Sequence, residues 1–109
     1  MNIEIDNPLT VIIAQNTEKE YVPLDSNFNC VTIGDAIELT WNALNIGTPV
    51  SFQIERDGEI VKTLAGNVFT FTDADLENGN YTYNLLTTYQ GYPYVVVQSG
   101  LRCKVKICD

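Results

Sequence analysis

Val50-Ser-Phe-Gln-Ile-Glu-Arg-Asp-Gly-Glu-Ile-Val-Lys-Thr-Leu64 is the stretch that decides the fold. Val50, Phe52 and Ile54 alternate with Ser51, Gln53 and Glu55, a period of two that puts apolar side chains on one face of a strand. Asp57-Gly58 then supplies two residues that tolerate positive φ, the requirement of a two-residue type I′ hairpin turn. The return strand runs from Glu59 to Leu64. The turn is expected to set Arg56 opposite Glu59 and Ile54 opposite Val61.

Working outward, the same alternation recurs between turn residues. Before the hairpin, Ile37, Leu39 and Trp41 share one face while Glu38 and Thr40 take the other. Phe28–Ile33 and Leu9–Ala14 are further strand candidates, separated by a polar stretch from Gln15 to Asn27. After the hairpin come Asn67–Thr72, with Val68 or Phe69 and Phe71 inward, and then the polar connection Asp73–Gly79. Tyr81, Tyr83 and Leu85 alternate in a strand ending near Tyr89. Gln90-Gly-Tyr-Pro93 turns the chain, Tyr94–Gln98 is strongly β-forming, and Ser99-Gly100 is expected to turn it again before Leu101–Cys108. No window shows helical periodicity with a cap before it. Short strands at such spacing predict an all-β sandwich or small barrel, with Trp41, Leu39, Phe52, Ile54, Tyr81, Tyr83 and Leu85 as its structural core.

At 109 residues there is room for one core. The formal charge is −8, from 14 acids against 6 bases. That sign repels phosphate backbones and anionic lipid, so neither nucleic acid nor membrane is an expected partner. The distribution is uneven. Residues 1–101 carry 13 acids and 3 bases, whereas residues 102–109 carry 1 acid and 3 bases. Arg102, Lys104 and Lys106 occupy alternate positions and share one face of a strand. They are either a solvated edge or a docking stripe for an acidic neighbour.

The chain lacks His, which removes the commonest general base and the Ser-His and Cys-His pairs. No phosphate-cradling glycine motif is present. Asp73, Asp75 and Glu77 resemble the start of a calcium loop. The glycine falls one place late and Asn84 stands where the loop needs Glu, so an ordinary solvated turn is the expectation. The sequence therefore predicts no catalysis, no metal and no cofactor. Cys30, Cys103 and Cys108 are odd in number, which suits reduced thiols, although a bond from Cys30 to either of the others is geometrically open. The first residues have neither a basic nor an apolar leader region, pointing to a protein that stays in a cytoplasm. Asn80-Tyr-Thr82 matches a glycosylation sequon, which has no role without export. The clearest loop candidate for contact is Tyr89-Gln-Gly-Tyr92-Pro-Tyr94, since tyrosines give large contact area at little entropic cost. The alternative is that these rings pack over the hairpin.

Residues 36–89 resemble a fibronectin type III or bacterial immunoglobulin-like domain. Ile37-x-Leu-x-Trp41 matches strand B and Phe52-x-Ile-x-Arg-Asp-Gly58 strand C. Phe69-x-Phe-x-Asp73 matches strand E, and Asp75-Leu76 through Gly79-Asn-Tyr-Thr-Tyr83 the corner entering strand F. The resemblance makes Trp41 the core tryptophan and Tyr81 a tyrosine-corner residue whose hydroxyl bonds the backbone upstream. It implies an immunoglobulin-like sandwich over residues 27–109, preceded by an arm, residues 1–26, containing one strand. Extra strands at both ends either cover the sheet's own edges or pair with a neighbour's. Such a scaffold says little about role. A short reading frame without export signal or catalytic groups suggests a phage virion accessory subunit, decorating a capsid or attached to a fibre. It would dock on a capsid or sister subunit, as a homo-oligomer or on the particle. The other class of role is an adhesion or carbohydrate-binding module from a secreted surface protein, working through its aromatic loop at the cell surface.

Overall fold

The computed structural model describes residues 18–106. The strand candidate Leu9–Ala14 and the last thiol, Cys108, lie outside them. Among the described residues eight strands follow one another: β1 (Lys19–Val22), β2 (Asn29–Ile33), β3 (Ala36–Thr40), β4 (Pro49–Arg56), β5 (Glu59–Ala65), β6 (Thr70–Asp73), β7 (Gly79–Tyr89) and β8 (Val95–Val105). They build a five-stranded sheet in the order β1-β8-β7-β4-β5 and a three-stranded sheet in the order β2-β3-β6. Every pairing is antiparallel except β1 with β8. The described residues are thus all-β, in the layered arrangement of a sandwich.

The alternation read from the sequence is what closes the two sheets on each other. Ile37 and Leu39 from β3 meet Phe52 and Ile54 from β4, Tyr83 and Leu85 from β7, and Cys103 and Val105 from β8 in one buried cluster. Trp41, just past β3, packs edge-on against Phe52 with ring centres 5.5 Å apart. Phe69 also meets Phe52 edge-on, at the same distance. Tyr81 is half-buried against this cluster, and its hydroxyl donates to the Glu77 carbonyl at 2.6 Å, the upstream backbone bond expected of it.

Three local expectations need correction. Asp57 and Gly58 do take positive φ, 50° and 92°, and Arg56 does face Glu59. A bulge between Ile54 and Glu55, however, brings Lys62 rather than Val61 opposite Ile54. Ser99-Gly100 makes no turn. The register jumps from Tyr83↔Leu101 to Leu85↔Gln98, so that Asn84 alone faces both residues and β8 runs on as one strand of 11 residues. The Asn84 side chain accepts the Gly100 N–H at 3.0 Å, satisfying the amide that the bulge takes out of the ladder. Finally, the β run expected from Asn67 begins only at Thr70. Gly66 sits so close to β4 that a Cβ there would lie 2.1 Å from the Pro49 carbonyl oxygen, and Val68 turns back onto Ala65.

A disulfide and a buried polar cluster are among the links that join the sheets beyond apolar contact. Cys30 of β2 is disulfide-bonded to Cys103 of β8, with Cα atoms 6.4 Å apart. This overturns the expectation of reduced thiols. The odd cysteine count reflects one bridge plus Cys108, not three free thiols. The second link is polar. Asp73 on β6 is buried and accepts the Arg56 guanidinium on both oxygens at 2.9 and 2.8 Å, and the Tyr83 hydroxyl at 2.7 Å. Asp73 therefore leaves the acidic trio proposed as a solvated turn: its charge faces inward and is matched there.

Candidate functional site

The last strand carries the clearest outward-facing chemistry. Its inner positions, Cys103 and Val105, go to the core. Period two then forces Arg102 and Lys104 outward, where both are exposed, as is Lys106 just beyond the strand. The neighbouring strand sets what lies beside them. Thr82 N–H donates to the Asp57 carboxylate at 3.0 Å, and Thr82 C=O accepts the Asp57 N–H at 2.9 Å. Both backbone groups of Thr82 thus point toward the hairpin and away from β8. Thr82↔Arg102 is consequently a non-hydrogen-bonded pair, the kind whose side chains stand closest, and by alternation so is Asn80↔Lys104.

The result is a block of four polar side chains on the outer face: Asn80 and Thr82 from β7, Arg102 and Lys104 from β8. With Tyr81 and Cys103 they line an open depression of about 470 Å³. Among the described residues the ion pair is Arg56 with Asp73, on the other side of the sheet. No described carboxylate lies within ion-pair distance of Arg102, Lys104 or Lys106. The stripe was visible in the sequence. Its companions Asn80 and Thr82 were not, because the bulge at Ser99-Gly100 sets the register that brings them alongside.

No protein-family model matches the chain, and no curated protein sequence matches it.

The aromatic loop divides differently from the expectation. Tyr89 is 2% exposed, and its hydroxyl accepts the Leu44 N–H at 2.7 Å, pinning the loop before β4. Burial pushes its pKa above the ordinary tyrosine value. Tyr89 is an inner anchor and cannot serve as an exposed contact. Tyr92 donates its hydroxyl to the Glu20 carboxylate, tying the loop to β1, and that bond raises its pKa. Tyr94 is exposed and meets Tyr92 edge-to-face at 5.9 Å. Two rings at 74° to one another offer no flat platform for stacking.

Of the core residues read from the sequence, Leu39, Trp41, Phe52, Ile54, Tyr83 and Leu85 are buried, and Tyr81 is half-buried. Sequence reasoning missed Phe28, which is buried in the same cluster, and the partnership of Arg56, Asp73 and Tyr83. A basic residue ending β4 and an acid ending β6 were the signals available. They could not be paired without the sheet order.

Proposed function

We propose that this chain is a non-catalytic docking protein of immunoglobulin-like type, whose last strand presents the contact face. The observation that carries the reading is the exposed block of Arg102 and Lys104 beside Asn80 and Thr82, with no described carboxylate paired to it, in a chain of net charge −8. The block stands on a sheet fastened through Cys30–Cys103, so its side chains start from a fixed frame. A preorganised face loses less freedom on binding than a mobile one.

Strand order supports the immunoglobulin-like part. With β3, β4, β6 and β7 as strands B, C, E and F, β2 and β8 take the places of A and G. The sheets then become A-B-E and G-F-C, with β5 beside C and β1 beside G. The Tyr81 hydroxyl bond supports it too. In its most specific form the reading is an accessory subunit of a phage virion, docked on a capsid or sister subunit. A second form is a module of a cell surface; the Cys30–Cys103 bond supports either form, because disulfides persist in oxidising surroundings. Released virions and cell surfaces both provide these.

Fractionation of the source culture tests the proposal. An antibody against the chain should find it in a particle band or in the cell envelope, with Cys30 and Cys103 joined. Recovery wholly in the cytosol with all thiols reduced would sink both forms.

A further inference from the structure

We infer that the β8 face takes an extended acidic polypeptide segment whose carboxylates recur at every second residue. The inference rests on the docking reading above and names the partner's chemistry. Arg102 and Lys104 stand on β8, where alternate residues are about 6.8 Å apart, and Lys106 follows two residues on, just past the strand's end. A segment in the same extended conformation with acids at alternate positions repeats its charges at that interval. One such segment meets each cation once and leaves its intervening side chains pointing away. Asn80 and Thr82 flank the cations with uncharged hydrogen-bonding groups, which can serve a carboxylate's second oxygen or the partner's backbone.

The rest of the molecule decides against a longer polyanion. Outside residues 102–109 there are 13 acids against 3 bases. Three cations two residues apart span about 14 Å, little more than the screening length of about 8 to 10 Å at ordinary ionic strength. A nucleic acid or sulfated glycan extending past the stripe runs onto like charge. A short acidic peptide does not.

The test uses the full chain, isotope-labelled, with the peptide acetyl-Thr-Glu-Thr-Glu-Thr-Glu-Thr-amide as probe at low salt. Amide shifts should move at Asn80, Thr82, Arg102 and Lys104. Exposed ion pairs contribute little singly, so the fitted Kd should be near ~1 mM and should rise at least about fivefold in 0.3 M salt. Arg102→Gln with Lys104→Gln should weaken binding by about tenfold while leaving the remaining spectrum in place. A peptide of the same composition with its three glutamates consecutive should bind several-fold more weakly.

Equal binding of the two peptides, or no shifts at the four positions, would overturn the inference. Tighter binding of a heparin hexasaccharide to the same residues would also overturn it. The chain's own Glu4 and Asp6 have the alternate spacing. If Glu4→Gln with Asp6→Gln raises peptide affinity, the stripe belongs to the chain's own N-terminus and the inference fails. Unchanged affinity supports it. Failure here leaves the docking reading standing wherever a non-acidic partner still cross-links to the β8 face. Loss of all contact at that face removes both.

Discussion

Opening the Cys30–Cys103 bond should cost about 4 kcal/mol of stability. The two cysteines are 73 residues apart, and closing a loop of that length removes unfolded-chain entropy corresponding to roughly 4 kcal/mol at 25 °C. A domain of this size is stable by only about 5–15 kcal/mol in total. The bond also joins strands of different sheets, beside the apolar core that packs those sheets together. β2 and β8 share no ladder, and the described hydrogen bond there runs from the Thr32 hydroxyl to the Lys104 carbonyl at 2.6 Å. Urea unfolding followed by Trp41 fluorescence compares the oxidised protein with Cys30→Ser/Cys103→Ser. With a slope of about 1.2 kcal/mol per molar urea, the midpoint should fall by about 3 M. Thiol labelling of the native, unreduced chain should modify one cysteine, Cys108, and all three after reduction. A midpoint change below about 0.5 M, or three reactive thiols without reductant, would mean that no bond between Cys30 and Cys103 stabilises the fold.

Other expectations follow from the buried polar groups. Asp73→Ala leaves the Arg56 guanidinium and the Tyr83 hydroxyl without their shared acceptor and should cost about 3 kcal/mol in the same assay. Burial raises the Tyr83 pKa well above its unfolded value near 10. Its neutral form therefore contributes fully below pH 10, and the contribution is lost as pH rises beyond that, at about 1.4 kcal/mol per pH unit. Unfolding midpoints measured from pH 9 to 11.5 should show this decline, and Tyr83→Phe should reduce its slope. Tyr81→Phe removes the bond to the Glu77 carbonyl and should cost about 1 kcal/mol, read as a shift in thermal midpoint.

What the sequence disclosed, and what it hid, follow one physical division. Period-two alternation and the Asp57-Gly58 turn are local properties, and they located β3, β4, β5 and β7 with most of the core. Features that depend on partners distant in sequence were invisible. β1, Lys19-Glu-Tyr-Val22, is a four-residue edge strand with two charged residues, and it exists through parallel pairing with Val95–Gln98. Serine and glycine at 99 and 100 signal a turn or a bulge equally well, and only the partner strand decides which. Tyr89 belongs by sequence to an aromatic loop, yet it is the last inward position of β7 and faces Leu44. The basic stripe was legible because spacing alone defines it. Its depression was not, because Asn80 and Thr82 enter through register.

A photo-cross-linking residue placed at Lys104, in the chain expressed in its native host, will show whether the β8 face meets a partner. Thr63 is the matched control, exposed on β5 at the far edge of the same sheet. Cross-linking to a discrete partner from position 104, at several times the yield from position 63, is the predicted result. No adduct from 104, or equal yields from both positions, would mean that β8 is not the contact face.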